Sequence, residues 1–362
     1  MGISAHTAEA RELHPLPEPI VPGQPWTVLA PMQDVTTLGF MRLLKDYGVP
    51  DLFVTEFFRV HETSTPEKHI LASIVANDTG RPVFAQLIGE DIPHMVRTVG
   101  QLLRHPVAGI DLNLGCPAPK VYRKNVGGGL LRDISHVDAL LGALRAATPG
   151  ILSVKMRIGF EDTASFLDFL SLINKHRVDW LTVHGRTVKG LYRSAVDYDA
   201  IALAVRNVTC PVVANGDITS PAKAAWVLQK TGCAGLMIGR NAIRNPWIFR
   251  QVREFLGGKA VFQPTLLDVR GYIDSLAEAV CLPDMTPLRK AARLKKFLNF
   301  VGMSVDPEGA FLKAMRLAQN LDELLRVSDE FLVNDGQAEK MFSMEPYPGV
   351  VARPNCEQGC EL

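Results

Sequence analysis

Residues 211–240 read PVVANGDITSPAKAAWVLQKTGCAGLMIGR, and the pattern of this stretch decides the fold. Two short apolar runs, 211–217 and 235–240, each end in glycine and polar residues. Between them, apolar residues from Ala222 to Leu228 follow helical spacing. A buried strand, a helix and a second buried strand form the unit from which parallel sheets are built.

The same pattern recurs upstream of the quoted stretch. The eight apolar runs of this kind are Thr27–Met32, Asp51–Phe57, Pro82–Ile88, Gly109–Gly115, Ile151–Gly159, Trp180–Arg186, Pro211–Asp217 and Gly235–Arg240. Eight strand–helix units in about 215 residues predict an α/β fold of the (β/α)8 TIM barrel type. The alternative is a doubly wound open sheet. It is disfavoured because no run is followed by G-x-G-x-x-G and because polar residues end all eight runs.

The chain outside the predicted barrel divides into a helical region and two proline-rich ends. Residues 1–25 contain Pro15, Pro17, Pro19, Pro22 and Pro25 without any periodicity, and we expect an extension that lies on the surface or is disordered. After about residue 260 the strand pattern stops, and helices are predicted at 265–281, 286–301, 307–318 and 320–333. The predicted organisation is the extension over 1–25, the barrel over 26–258, a small C-terminal all-helical domain over 262–335 and an unpacked tail over 336–362.

Composition and charge exclude several classes of protein. The 362 residues carry 39 Lys and Arg against 38 Asp and Glu, a net charge of +1, so binding of nucleic acid by bulk charge is excluded. No apolar stretch approaches the roughly 18 residues of a membrane span, and no signal-peptide pattern is present, so a cytoplasmic protein is expected. The six cysteines are scattered and predict neither a disulfide framework nor a metal site, and Cys356 and Cys360 are interpreted as part of the tail.

Chemically active side chains occur where the predicted strands end, which is the active-site face of a barrel. Packing there would favour Val, Ile and Leu, whereas these ends carry polar and charged groups, among them Lys155 and His184. A lysine in a barrel interior is costly without an anionic or polar partner. Gly216, Gly239 and Arg240 at the last two ends predict a phosphate-bearing cofactor, because small residues let backbone N–H groups approach phosphate oxygens.

Cys116 follows the fourth predicted strand in Asn-Leu-Gly-Cys-Pro and is the candidate catalytic residue. An unperturbed thiol has a pKa of about 8.5, so at neutral pH it is mostly protonated and can donate a proton. The alternative is a buried structural cysteine, which is our interpretation of Cys210 and Cys233. No Ser or His forms a nucleophile motif nearby, so a redox enzyme with a proton donor ranks above a hydrolase. The glycines at 127–129 predict a pliable loop behind Cys116.

Six motifs, taken in their order along the chain, resemble one known family. They are Leu29-Ala-Pro-Met32, Asp111-Leu-Asn-Leu-Gly-Cys-Pro117, Val154-Lys-Met-Arg157, Val183-His-Gly-Arg-Thr187, Ala214-Asn-Gly-Asp-Ile218 and Met237-Ile-Gly-Arg240. Their combination resembles the tRNA-dihydrouridine synthases over about residues 26–335, and Asn245-Pro-Trp247 also matches. The stretch Thr55–Val60 and the glycines at 127–129 favour the bacterial C-type branch.

The resemblance implies an FMN-dependent, NADPH-driven reduction of a specific D-loop uridine in tRNA to 5,6-dihydrouridine. It implies hydride transfer from FMN N5 to C6 of the uracil, with Cys116 donating a proton to C5. Asn113 and Arg157 are implied on the uracil side. The residues implied to contact the cofactor are Pro31, Met32, Gln33, Gln86, Lys155, His184, Asn215, Gly216, Asp217, Gly239 and Arg240.

A predicted helix over residues 286–304 carries five basic residues and no Asp or Glu. Its apolar residues recur at helical spacing, which leaves Arg289, Arg293 and Lys296 on another face. The alternative is a solvated face of a bundle helix, but the one-signed charge favours a surface that contacts tRNA phosphates. No protein partner and no membrane contact are predicted, and a monomer is expected.

Two other functions explain parts of the pattern. A flavin TIM-barrel oxidoreductase that acts on a free pyrimidine or another small molecule would share the phosphate end and the cysteine, but it does not need a basic helical domain. A non-catalytic RNA-binding protein explains the basic helix, but not Cys116, Lys155 and His184 together. Reduction of a tRNA uridine therefore explains most of the sequence, while the position that is modified stays open.

Overall fold

The computed structural model describes residues 13–347, and its centre is a closed ring of parallel strands. The strands are β1 (Trp26–Leu29), β2 (Leu52–Val54), β3 (Phe58–Arg59), β4 (Val83–Ile88), β5 (Gly109–Leu114), β6 (Leu152–Arg157), β7 (Trp180–His184), β8 (Val212–Asn215) and β9 (Gly235–Ile238). β1 pairs with both β2 and β9, and β2 pairs with β4, so eight strands close the barrel. The two-residue strand β3 pairs with β4 beyond the end of β2.

The closed barrel confirms the predicted fold and excludes the doubly wound open sheet. Each of the eight predicted runs contains one barrel strand. β4 and β5 are buried along their whole length, as expected for parallel strands that are covered on both faces. In β6 the only residue that is not fully buried is Lys155, whose side chain faces the cleft described below.

Helices cover the outside of the barrel. They are α1 (Leu38–Tyr47), α2 (Lys68–Val75), α3 (Ile92–Leu102), α4 (Pro119–Tyr122), α5 (Ile134–Ala147), α6 (Phe166–Lys175), α7 (Tyr198–Asn207), α8 (Pro221–Thr231), α9 (Arg240–Arg244) and α10 (Ile248–Leu256). The sequence signals at their ends are those expected. In α8, Ser220 accepts a hydrogen bond from the N–H of Lys223, Pro221 occupies the first turn, and Gly232 ends the helix at φ 70°.

Four further helices follow the barrel, in agreement with the predicted helical region. They are α11 (Leu266–Val280), α12 (Pro287–Val305), α13 (Ala310–Leu317) and α14 (Leu321–Leu332). The apolar face of α12 packs on the barrel helix α1, where the rings of Phe297 and Phe40 lie 5.5 Å apart. This packing holds the basic side of α12 next to the carboxyl ends of the strands.

Parts of the chain segments before and after these elements pack against the rest of the protein. Residues 13–25 lie on the amino-terminal face of the barrel, where the Nδ1 atom of His14 is 3.0 Å from the carboxylate of Asp179. The prediction of an unpacked tail is wrong for residues 336–347, because Phe342 is only 2% exposed and the hydroxyl of Tyr347 donates to the carbonyl of Phe300. Cys356 and Cys360 lie outside the described residues. Between residues 13 and 347, no helix is both long and apolar enough to span a bilayer.

Candidate active site

A cleft opens at the carboxyl ends of the barrel strands and consists of two adjoining pockets. Both pockets are lined by Pro31, Met32, Lys155, His184 and Tyr192, so they form one continuous space. The first end of the cleft adds Asn215, Gly216, Asp217, Gly239 and Arg240. The second end adds Gln33, Phe57, Asn113, Cys116 and Arg157. Most of the side chains that were predicted from the strand ends therefore share one cleft.

Positive charge dominates the first end of the cleft. His184 is buried, and burial together with the nearby cations Arg157, Lys155, Arg186 and Arg240 holds the pKa of its imidazole well below the ordinary value. The imidazole is therefore neutral at pH 7. The Nε2 atom lies 3.4 Å from Nη1 of Arg186, which can only donate, so Nε2 accepts and the Nδ1 nitrogen carries the proton that can be donated to a ligand in the cleft.

Asp217 is the carboxylate at this end, and its backbone has the left-handed φ of 43°. Its Oδ1 atom accepts a hydrogen bond from Nη1 of Arg186 at 3.2 Å and lies 3.7 Å from the guanidinium of Arg240. The preceding Gly216 has φ 126°, a conformation that is open mainly to glycine. One carboxylate thus faces several cations, and the excess positive charge favours an anionic ligand.

Lys155 projects into the part of the cleft that both ends share. Its Nζ atom donates to the side-chain oxygen of Asn215 at 3.2 Å. Burial and, to a smaller extent, the charge of Arg157 lower the pKa of Lys155 to about 8, although Asp111 below the cleft opposes the change. The donor set of Lys155, Arg240 and Asn215, with neutral His184 beside it, fits a cofactor that carries phosphate. Within residues 13–347, no cluster of three or more His, Cys, Asp and Glu side chains could hold a metal ion.

Cys116 lies at the second end, on the loop that follows β5. The side-chain oxygen of Asn113 accepts hydrogen bonds from the backbone N–H groups of Gly115 at 3.0 Å and of Cys116 at 2.9 Å. These two bonds close an Asx turn, which sets the direction in which the chain leaves the strand. Asn113 therefore shapes the loop as well as lining the cleft.

The three glycines behind Cys116 form a buried 3-10 helix, Gly127–Arg132. The N–H of Gly128 donates to the carbonyl of Cys116 at 3.2 Å, and a Cβ atom on Gly128 would lie only 2.8 Å from that carbonyl oxygen. The prediction of a pliable loop is therefore wrong. These glycines allow close packing that fixes the backbone of Cys116 from behind.

Gln86 lies beneath the cleft and does not line it. Its side chain is 0% exposed; Nε2 donates to Asp111 at 2.7 Å, and Oε1 accepts from Asn113 at 2.8 Å. Both ends of the amide are thus engaged inside the barrel. The sequence predicts a cofactor contact at Gln86, whereas in the structure its side chain supports Asn113.

Arg157 lines the cleft, and three of its hydrogen bonds go to the backbone. Its guanidinium donates to the carbonyl oxygens of Gly115 at 3.0 Å, Thr187 at 2.9 Å and Leu191 at 2.6 Å. It therefore joins the loop of Cys116 to the loop that follows β7, where it also hydrogen-bonds Tyr192. Because Arg157 is only 1% exposed and these bonds engage its guanidinium, a role toward the uracil stays a prediction.

Tyr192 and Arg186 are functional candidates that sequence reasoning missed. The ring of Tyr192 lines both ends of the cleft, with the guanidinium carbons of Arg157 and Arg240 at 5.2 and 4.6 Å from its centroid. It lies on a long loop away from any strand end, so its position in the sequence carried no signal. Arg186 stood at a predicted strand end, but its pairing with Asp217 depends on the neighbouring strand.

The basic face predicted on α12 borders the cleft. The Nζ atom of Lys296 lies 3.0 Å from the carboxylate of Asp34, which follows the cleft residue Gln33. Arg289 is exposed, and Arg293 is half-buried with its guanidinium carbon 5.9 Å from the ring of Phe297. The three side chains lie along one helix, with Lys296 nearest the cleft.

A closed (β/α)8 barrel with a cation-rich cleft at its strand ends defines a barrel enzyme with an anionic cofactor or substrate. The family model for dihydrouridine synthase (Dus) matches residues 28–281. A probable tRNA-dihydrouridine synthase of Helicobacter pylori is 39% identical over 232 residues, which cover 63% of this chain and 70% of the relative. The chain therefore belongs to the dihydrouridine synthase family, whose members are flavin-dependent oxidoreductases.

Two further relatives carry more specific names. The tRNA-dihydrouridine(16) synthase of Neisseria meningitidis serogroup A is 30% identical, over 84% of this chain and 94% of the relative. The tRNA-dihydrouridine synthase B of Pseudomonas syringae is 38% identical, over 63% of this chain and 68% of the relative. Because relatives with different names match, the predicted C-type branch stays a prediction.

Proposed function

We propose that the protein reduces a D-loop uridine of tRNA to 5,6-dihydrouridine, with FMN as bound cofactor and NADPH as reductant. Uridine, NADPH and one proton are consumed, and dihydrouridine and NADP+ are formed. The observation that carries the proposal is one continuous cleft with excess buried positive charge at one end and Cys116 at the other. Family membership and the names of the relatives support tRNA as the substrate.

The first end of the cleft is the proposed cofactor site. Bound flavin supplies the hydride that reaches C6 of the uracil. Lys155 and Arg240 contribute positive charge toward an anionic cofactor, and neutral His184 contributes a hydrogen bond without adding to the charge. The loop after β1 contributes Pro31 and Met32 to the shared wall of the cleft and Gln33 to its second end.

Cys116 is the proposed proton donor. Addition of hydride at C6 leaves negative charge on C5 and O4 of the uracil, and a proton that is delivered to C5 completes the reduction. The thiol sits where Asn113 and the glycines behind the loop hold its backbone on both sides. The thiolate that remains is reprotonated from solvent before the next turnover.

The target base must leave its stack to reach a cleft at a barrel mouth, so an exposed loop uridine is the expected substrate. Arg289, Arg293 and Lys296 on α12 are proposed to contact tRNA phosphates beside the cleft. The choice among D-loop positions depends on how these contacts orient the RNA. Position 16, which the Neisseria relative carries in its name, is the first position to examine.

The test uses the purified full-length protein. We expect a flavin absorbance that NADPH bleaches and that unmodified tRNA restores, with dihydrouridine appearing at one D-loop position. Mapping in a deletion strain, with and without the restored gene, identifies that position. Reoxidation by free uracil or orotate but not by tRNA would favour the small-molecule oxidoreductase instead. A protein without flavin that still binds tRNA would favour the non-catalytic alternative.

A further inference from the structure

A relay of hydrogen-bonded polar side chains runs beneath the cleft and ends at the loop of Cys116. Its members are Ser153, Asp111, Gln86 and Asn113. The hydroxyl of Ser153 donates to Oδ1 of Asp111 at 2.6 Å, and Nε2 of Gln86 donates to Oδ2 at 2.7 Å. Oε1 of Gln86 then accepts from Nδ2 of Asn113 at 2.8 Å. Oδ1 of Asn113 accepts the N–H of Cys116 at 2.9 Å. The links join β6 to β5, β5 to β4 and β4 back to β5, and the last one reaches the loop that follows β5.

The groups at the two ends of this relay agree on how the amides of Gln86 and Asn113 must be oriented. A carboxylate only accepts hydrogen bonds, so Asp111 requires the NH2 group of Gln86 to point toward it. The backbone N–H groups of Gly115 and Cys116 only donate, so they require the oxygen of Asn113. With both ends satisfied, the remaining bond runs from Asn113 to Gln86, as observed. The carboxylate thus determines the polarity of a relay that ends at Cys116.

We propose that Asp111 is a positioning residue that fixes the place of the Cys116 thiol through Gln86 and Asn113. The proposal deepens the proposed function and rests on Cys116 as the proton donor. Asp111 lines neither end of the cleft and is 1% exposed, so it acts only through its neighbours. Misplacement of a reacting group by about 1 Å is enough to reduce a rate by about a hundredfold.

Burying the carboxylate of Asp111 costs free energy, so packing alone does not explain why this residue is there. Burial raises the pKa of Asp111 to about 6, while bonds from Ser153 and Gln86 and the charge of Lys155 oppose that rise. A buried carboxylate is unfavourable unless its hydrogen bonds are satisfied.

The substitution Asp111→Leu tests the proposal because it removes both acceptor atoms at a similar side-chain size. The NH2 group of Gln86 then loses its acceptor, and nothing at this end of the relay fixes which way the amide points. Asp111→Asn is a milder change, because the new amide can turn its oxygen toward Gln86 and donate to Ser153, whose hydroxyl also reaches the carbonyl of Ile110 at 3.4 Å.

Two measurements on the flavin-loaded protein follow this change at Cys116. We expect Asp111→Leu to lower kcat on unmodified tRNA about 10- to 100-fold with KM for tRNA nearly unchanged. We also expect the rate of iodoacetamide alkylation at Cys116, followed by peptide mass spectrometry, to change by at least several-fold. Asp111→Asn keeps an acceptor for Gln86, so it should retain most of both rates.

Asp179→Leu is the matched control, because it makes the same change in a buried carboxylate on the opposite face of the barrel. It should lower the melting temperature without altering alkylation at Cys116. If Asp111→Leu is too unstable to purify, Gln86→Leu removes the middle link and should alter the alkylation rate in the same way.

An alkylation rate at Cys116 that stays at the wild-type value in Asp111→Leu or Gln86→Leu would overturn the proposal, even if turnover falls. An Asp111→Asn variant that loses both rates as fully as Asp111→Leu would also overturn it, because the acceptor for Gln86 would then not be what matters. Altered alkylation in Asp111→Leu with retention in Asp111→Asn supports the proposal whether or not tRNA is the substrate. If turnover then stays at the wild-type value, the positioning of Cys116 stands and its role as proton donor fails.

Discussion

The two faces of the barrel use similar residues for different purposes. On the amino-terminal face, the buried carboxylate of Asp179 accepts from the N–H of His14, from Arg145 and from the N–H of Leu152, all at 2.7 to 2.8 Å. On the carboxyl face, the carboxylate of Asp217 stands among the cations that surround His184. The negative charge of Asp179 is matched by partners within the chain, whereas on the carboxyl face the cations outnumber the carboxylate of Asp217.

The difference shows which buried charges belong to the fold and which await a ligand. Removing an ion from water costs several kcal/mol, and folding recovers this only when partners satisfy the charge. The partners of Asp179 all come from the chain itself. The excess cations of the carboxyl face gain their compensation when an anion binds, so this face, and not the other, should respond to cofactor.

The largest expected effect tests the chemistry of the carboxyl face. Cys116→Ala should lower turnover on natural tRNA about 10²- to 10⁴-fold, the usual contribution of a positioned proton donor, while flavin absorbance is retained. Single-turnover oxidation of the NADPH-reduced protein by unmodified tRNA measures this. Cys281→Ala, at the half-buried cysteine that ends α11, is the control and should keep full activity. Unchanged turnover in Cys116→Ala would refute its role.

On the amino-terminal face, a substitution should affect stability and leave the chemistry intact. Asp179→Ala leaves the partly buried Arg145 and the N–H of Leu152 without their acceptor, which should cost about 3 kcal/mol in the free energy of unfolding. Urea unfolding measures this loss, and kcat at 25 °C should match the wild type. Asp78→Ala, whose carboxylate is exposed and pairs with Arg42 on the surface, should unfold like the wild type. A large loss of kcat in folded Asp179→Ala would contradict the division between the faces.

The third prediction concerns the pH dependence of cofactor binding. The pKa of Lys155 is about 8 without an anion, below its ordinary value, so raising the pH through 8 neutralises the amine and removes its attraction for FMN. The affinity for FMN should therefore fall about tenfold between pH 7 and pH 9, since one pKa unit corresponds to 1.36 kcal/mol. Fluorescence titration of the flavin-free protein measures it.

In Lys155→Met the affinity for FMN should be low at pH 7 and nearly independent of pH over this range. The free energy of unfolding changes with pH in the opposite direction to the affinity for FMN. The unfolded chain keeps the lysine proton up to a pH of about 10.5, so the flavin-free wild type should gain stability as the pH rises from 8. An FMN affinity that is equally dependent on pH in both proteins would exclude Lys155 as the titrating group.

The smallest expected effect concerns the rim beside the cleft, where charge is exposed. Arg293→Glu/Lys296→Glu should weaken tRNA binding and lower the slope of log Kd against log salt by about 1 to 2, because up to two phosphate contacts are lost. Filter binding at several salt concentrations measures the slope. Lys175→Glu, near the amino-terminal end of the barrel, changes the total charge without touching the rim and should leave the slope unaltered. An unaltered slope in the double variant would exclude this face as the tRNA contact.

Much of the fold and part of the site could be predicted from local patterns. Parallel strands covered on both faces are apolar along their length, so the eight runs were legible without any contact information. In a barrel all the strand carboxyl ends meet on one face, which is why Lys155, His184 and Cys116 could be grouped from positions far apart in the chain. Their individual roles toward cofactor and uracil stay predictions.

The features that escaped prediction depend on neighbours from other parts of the chain. Tyr192 enters the cleft from a loop, and Phe342 completes the helical core from a stretch that reads as a tail. The glycines behind Cys116 read as a pliable loop, but they are required because another backbone passes within contact distance. Contacts between distant parts of the chain leave no periodic pattern in the sequence.

The barrel, its active face and the candidate acid were determined by the spacing of apolar residues and the placement of polar residues alone. These two patterns involve residues that are close together in the sequence. Tertiary structure alone decided how those residues are held. Asp111, Gln86 and Asn113 lie on two neighbouring strands, and their relay exists only because strand pairing brings their side chains within 2.8 Å of one another. Hydrogen-bond direction and charge balance are properties of such close pairs, and only the folded chain defines them.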